Sequence, residues 1–222
     1  QQYALNFSGG SPFINYNFSL GYDDIKANAV GDAQQRKTLN TSFNIKPNAK
    51  LQIGASFLYT LNDATNNSIT DLNPSGGKTA SNPYARLVDD NGNPLALEKS
   101  YRSSYLDTTG AGLLLDWKYR PLDELKLKDL SSSSNHILAR LSAKYNFTPS
   151  LNAEIKYGLE KSAAAQHYYT PVESFAARAL INLYFQRTGN TVKRNVPYGG
   201  YLDHKSDDLS SWSLRGQLNY SA

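Results

Sequence analysis

The sequence contains no cysteine and no methionine. The first absence removes disulfide scaffolds and thiolate metal sites. The second leaves no initiator residue, and no secretory leader is visible, so Gln1 reads as an internal or processed start. Long apolar runs are also missing. Gly112-Leu113-Leu114-Leu115 is the greasiest stretch, far short of the roughly 18 residues that a membrane helix requires. A helical membrane protein is therefore excluded. Neither sign of charge dominates, with 23 Lys and Arg against 19 Asp and Glu, and no basic block points to nucleic acid. His136, His167 and His204 have no metal-ligand spacing. No nucleophile, acid and base suggest a catalytic group. The expectation is a chain that is not an enzyme and that needs no cofactor or metal.

Tyrosine is what the chain has in excess: 16 Tyr beside 8 Phe and 2 Trp, in a sequence only 40% hydrophobic. A tyrosine ring has one apolar and one wet side, which suits a membrane–water interface. The aromatic residues recur at alternate positions. Ile14, Tyr16, Phe18, Leu20 and Tyr22 interleave with Asn15, Asn17, Ser19 and Gly21. A strand of about ten residues with this period crosses a bilayer, and its ladder must close on itself because lipid offers no partner for an open edge. Seven such strands are expected at 3–9, 13–23, 37–46, 50–62, 135–147, 151–161 and 209–221. Their charged side chains nearly all fall on the polar side: Arg140, Lys144, Glu154, Lys156, Glu160 and Arg215. A charge toward lipid would cost about 2–4 kcal/mol at mid-bilayer. A soluble antiparallel sheet with one wet face alternates in the same way. It rarely alternates tight turns with connections of dozens of residues, however.

The connections set an orientation. Gly9-Gly10-Ser11-Pro12, Lys46-Pro47-Asn48-Ala49 and Thr148-Pro149-Ser150 are tight turns, whereas residues 24–35, 62–135 and 161–208 are long. In outer-membrane barrels, short turns face the periplasm and long loops the outside. Tyr16, Phe18, Phe57, Leu141 and Ile155 are then expected on the convex, lipid-facing side, and Asn17, Ser56, Arg140 and Lys156 on the concave side. The first strand would run toward the periplasm. That implies at least one strand before it, and Tyr220-Ser221-Ala222 reads as a stop within a strand. The fold class is all-β: an antiparallel meander forming part of a larger outer-membrane β-barrel.

Several strings resemble the SusC/RagA-like family of TonB-dependent transporters of Bacteroidetes. They include Gln1-Gln2-Tyr3-Ala4-Leu5-Asn6-Phe7-Ser8-Gly9-Gly10, Asn82-Pro83-Tyr84-Ala85-Arg86-Leu87 and Tyr168-Tyr169-Thr170-Pro171. Leu115-Asp116-Trp117-Lys118-Tyr119-Arg120-Pro121-Leu122-Asp123-Glu124-Leu125 is the most specific, and Val196-Pro197-Tyr198-Gly199-Gly200 follows in family order. The resemblance implies a barrel of about 22 strands with a plugged lumen in a bacterial outer membrane. It implies energy from the TonB complex through a plug and TonB box, a SusD-like lipoprotein lid, and an oligosaccharide or peptide cargo. The plug and TonB box are not in these residues.

The loops carry the candidate contacts. Sugar rings stack on aromatic faces while carboxylates accept from hydroxyls, so Tyr84, Trp117, Tyr119, Asp116 and Asp123 are substrate-binding candidates. Leu122, Leu125, Phe175, Leu180 and Tyr184 are candidates for contact with the lid. Thr170-Pro171-Val172-Glu173 reads as a helix start, with Phe175, Ala176, Ala179, Leu180 and Leu183 on its buried face. Asp89-Asp90-Asn91-Gly92-Asn93 suggests calcium but lacks the bidentate acid of an EF-type loop, and Asn91-Gly92 is more simply a type I′ turn. Transport competes with two other functions. One is an adhesin whose loops bind a surface. The other is a small closed barrel of eight strands, its last strand hidden within residues 62–135.

Overall fold

The computed structural model describes residues 1–67 and 84–221. Seven long strands form one antiparallel sheet: β1 (Gln2–Gly10), β2 (Ile14–Lys26), β3 (Asp32–Ile45), β4 (Leu51–Asn66), β5 (Asp129–Thr148), β6 (Leu151–Thr170) and β9 (Tyr201–Tyr220). Between β4 and β5 lie α1 (Ser103–Thr108), a 3-10 turn (Thr109–Gly112) and α2 (Pro121–Leu127). Between β6 and β9 lie α3 (Phe175–Leu183) and a small hairpin, β7 (Phe185–Thr188) with β8 (Thr191–Arg194). Spatial order follows chain order, β1-β2-β3-β4-β5-β6-β9. The chain is an all-β meander of the kind expected.

Register explains the alternation. One row of paired residues reads Phe7, Phe18, Thr41, Phe57, Ala139, Leu159, Trp212 across all seven strands. The next residue along each of six strands gives Asn17, Ser42, Ser56, Arg140, Gly158, Ser213. Successive side chains point to opposite faces, so the sheet has one apolar and one polar side. Aromatic rings pair at both ends of the apolar side: Tyr3 with Tyr22, centroids 6.2 Å apart, and Tyr145 with Phe147 at 5.0 Å. Lys37 and Lys161 share the apolar parity, and both lie toward its polar upper end.

Tight turns close three hairpins at one end of the sheet. The Asn48 carboxamide accepts from the N–H groups of Lys50 and Leu51, both at 2.9 Å. Thr148 Oγ1 accepts from Leu151 N at 3.0 Å. Such side-chain acceptors stand in for ladder partners where the chain reverses. At the other end the strands outrun their expected limits. The connection expected over 24–35 shrinks to residues 27–31, β5 begins at Asp129 rather than 135, β6 runs on to Thr170, and β9 starts at Tyr201. The apolar pattern ends where the apolar surroundings would end, but a hydrogen-bond ladder needs no greasy face to continue. Ser131, Ser132, Ser133 and Ser134 pair with His167, Gln166, Ala165 and Ala164 in a register that composition could not reveal.

The eight-strand closed barrel does not form among the described residues. β4 pairs directly with β5 through Leu61↔Asn135 and Thr65↔Ser131, and β1 and β9 are the two ends of the sheet. Residues 68–83 of the loop expected over 62–135 lie outside the described residues.

Candidate functional site

The two long connections meet in a small core of their own. Trp117, Tyr119 and Phe175 are buried together, with Leu97, Leu106, Leu114 and Ala179 packed around them. The rings meet edge to face, Tyr119 on Phe175 at 5.3 Å and Tyr101 on Trp117 at 5.1 Å. Lys99 Nζ sits 4.0 Å from the Tyr119 centroid.

Polar side chains bind the connections across more than fifty residues of sequence. Asn182 is 1% exposed and acts as a section of strand. Its Oδ1 accepts from Leu115 N at 3.0 Å, and its Nδ2 donates to Leu115 O at 2.9 Å. Arg178 donates to the carbonyls of Asp116 at 2.7 Å and Lys118 at 3.2 Å. Glu124 Oε1 accepts from Phe175 N at 2.6 Å, so α2 supplies an acceptor to the first turn of α3. Burial pushes the Glu124 carboxyl above its usual range, against the pull of that N–H and the positive charges of Arg178 and Lys99. Burial pushes Asp116 up as well, but the Arg120 guanidinium and the Lys118 N–H outweigh it and hold the carboxyl low.

This core redistributes the expected roles. Trp117 and Tyr119 are 8% and 4% exposed, so their faces are covered by neighbours and not open to a ligand. Asp116 is occupied by Arg120 at 2.5 Å and by Lys118 N at 3.1 Å. Asp123 lies in the first turn of α2, half-buried beside Glu124. Tyr84 is 88% exposed. Among the candidates for partner contact, Phe175 is in the core, Leu122 and Leu125 are half-buried, and Leu180 and Tyr184 are exposed.

The helix itself is displaced and rotated from the expected one. Thr170 ends β6, and the N-cap is Ser174, whose side chain accepts from Ala177 N. α3 buries Phe175, Ala177, Ile181 and Asn182, whereas Ala176, Leu180 and Leu183 face outward. An apolar count assigns Asn182 to solvent, but its pairing with Leu115 puts it inside and turns the helix. The segment around Asp89 is a hairpin with a three-residue loop. Asp89 and Asn93 pair at its base, Asp89 O accepts from Gly92 N at 3.1 Å, and Gly92 has φ +83°. That is a type I turn followed by a left-handed glycine, one residue longer than the expected type I′ turn. Asp89 spends its oxygens on Asn93 and on the N–H of Asn91, and the Asn93 amide above all holds its carboxyl low.

The alternation count passed over α2, the β7–β8 hairpin and α1, and the first two carried signals. α2 opens on Pro121 with Asp123 and Glu124 in its first turn, a helix-start pattern. Gly189-Asn190 marks the β7–β8 turn. α1 has no cap or charge pattern that would have revealed it.

A second site lies on the polar side of the sheet. A hollow of about 620 Å³ spans β2 to β9 and is lined by Asn15, Asn17, Asn44, Arg140, Lys156 and Arg215, by Ser and Gly residues between them, and by Tyr16, Phe43, Leu141 and Tyr157 of the alternate positions. Arg140 and Lys156 both line it.

No protein-family model matches the sequence, and no curated protein does. Among solved structures, the chain is similar to one in the RagAB peptide importer in its closed-closed state, with a TM-score of 0.54 at 15% identity. The match covers 99% of this chain and 30% of that one. At this identity the likeness shows the fold alone, and the chain spans about a third of the neighbour's length.

Proposed function

We propose that this chain is a section of the wall of an outer-membrane importer, which takes up oligosaccharides or peptides with the help of a surface lipoprotein. One observation carries the reading: a seven-strand meander with a continuous apolar band on one side and a polar hollow on the other. On β4 the band runs from Leu51 through Ile53, Ala55, Phe57 and Tyr59 to Leu61. Ten rises of ~3.3 Å, at the tilt of ~40° that closed barrels require, give a height of about 25 Å, the apolar thickness of an outer-membrane barrel. Both sheet edges are unpaired among the described residues, and edges in lipid must be closed by further strands. The chain's share of its structural neighbour agrees with that need.

Above the sheet, the stitched loop core presents Leu180, Leu183 and Tyr184, 38%, 55% and 53% exposed, on one side of α3. An apolar ridge on a rigid support suits docking of a lipoprotein lid. The neighbour's description as a peptide importer favours a peptide cargo over a glycan. Energy would come from TonB through a plug, because the lumen of so wide a barrel is an open hole unless filled. The reading involves no catalysis.

Deletion in the parent organism tests this. Uptake of the native polymer should be lost when the TonB box is removed and when the lipoprotein gene is removed. Unchanged uptake in both strains would favour an adhesin. Loss in the TonB-box strain alone would keep the importer and discard the lid.

A further inference from the structure

We propose that the hollow on the polar side of the sheet is a carboxylate-binding site, an inference that rests on that side being the lumen of a barrel. Three cationic side chains line it, Arg140, Lys156 and Arg215. Lys156 on β6 is directly opposite Arg215 on β9, and like charges in opposed positions repel. Arg140 on β5 lines the same hollow. Only one of the three has a carboxylate: Lys156 Nζ is 3.0 Å from Glu154. Arg215 donates to the neutral Gln217 carboxamide at 2.9 Å. Among the described residues no carboxylate lies within ion-pairing distance of Arg140 or Arg215. Of the acids on the adjoining rows, Glu160 is engaged by His136 at 3.0 Å and Glu154 by Lys156.

A second observation concerns Asn44, which lines the hollow. Its Oδ1 is buried and accepts no hydrogen bond among the described residues. A carboxylate has no donor for that acceptor, so Asn44 Oδ1 calls for a hydroxyl or amide N–H on the chain that carries the carboxylate. The floor is as low as backbone permits. A Cβ at Gly54 would come within 2.5 Å of Ser142 Oγ, and one at Gly158 within 2.8 Å of Ser213 Oγ. Arg140 and Arg215, on β5 and β9 with β6 between them, offer guanidinium groups to a carboxylate carried on a polar chain. The volume lies in the range of small-ligand sites. The carboxylate has two possible sources, a soluble acid in transit or an acidic side chain of a segment that fills the lumen.

The test uses the complete protein in outer membranes, as wild type, Arg140→Gln/Arg215→Gln and Arg140→Glu/Arg215→Glu. Both arginines are exposed and lie outside the loop core. Heat-resistant migration of the barrel is the folding control, and a wild type without it would sink the outer-membrane reading instead of this one. Binding of glutarate and of neutral glutaramide is measured by calorimetry, and entry of vancomycin by growth inhibition. For a soluble acid, wild type should prefer glutarate at least about tenfold, the worth of one charge-assisted hydrogen bond, and both variants should lose the preference. For a lumen-filling segment, wild type shows no preference, and the Glu variant admits vancomycin where wild type does not. A wild type without preference whose Glu variant also stays sealed would overturn the proposal, and the wild-type comparison needs no variant to fold.

Discussion

At Asn182 a single carboxamide replaces two hydrogen bonds of a β-ladder. Asn182→Ala should leave the N–H and C=O of Leu115 unpaired in a half-buried site, at about 1–3 kcal/mol for each group left without water. Limited proteolysis of the complete protein should then cut near residues 113–119, and Asn182→Leu should fail to restore protection despite its similar volume. Glu124 gives a pH signature. Its carboxyl is raised in the folded state, chiefly by burial, so the folded loop core binds that proton more tightly than the unfolded one. The linked stability is present at acid pH and is lost as pH rises from the ordinary glutamate value of 4.5 through the raised folded one. Asp116 is lowered and has the opposite sign, with stability lost as pH falls. Glu124→Gln should therefore remove only the loss on rising pH, read as the pH dependence of hydrogen exchange at Phe175.

Strands and helices differ in how their faces are chosen. A strand shows alternate residues to opposite sides, so Phe18 and Ser19, adjacent in sequence, lie on opposite faces of β2. Phe18→Arg should cost about 2–4 kcal/mol in a barrel held in lipid vesicles, whereas Ser19→Arg should cost under about 1 kcal/mol. Equal costs would show that the apolar side does not face lipid. α3 has a different logic, because the buried Asn182 overrules its apolar count. Its outward ridge is the surface that the proposed lid would cover. Leu180→Asp/Tyr184→Asp should weaken lid capture at least about tenfold while leaving the loop core intact. Full capture by the double variant would remove α3 from the interface.

At the scale of the whole molecule, the three tight turns share one end of the sheet and the stitched loops the other. This places Ser104 outside the cell and Asn48 in the periplasm if the barrel has the usual orientation. The chain has no cysteine of its own, so Ser104→Cys and Asn48→Cys are clean reporters within it. An impermeant maleimide added to intact cells should label the first and spare the second. The reverse pattern would invert the orientation and remove the loop core from any role in capture.

The period-two alternation determined, without coordinates, that this chain forms strands, which residues share a face, and that the sheet is an antiparallel meander. The signal was strong because successive strand residues point to opposite faces, so one apolar and one polar side write a period of two into the sequence. The sequence was silent where that pressure stops. The ladder continues through Ser131–Ser134 and Ala163–Ala165, which have no apolar period. The loop core depended on contacts between Glu124 and Phe175, and between Leu115 and Asn182, across fifty-one and sixty-seven positions. Trp117 and Tyr119 look like ligand platforms in a loop read alone and become core once α3 lies on them. Only the tertiary structure decided this, because the burial of a loop side chain depends on which distant segment covers it. Register likewise brought Arg140, Lys156 and Arg215 from three strands into one hollow.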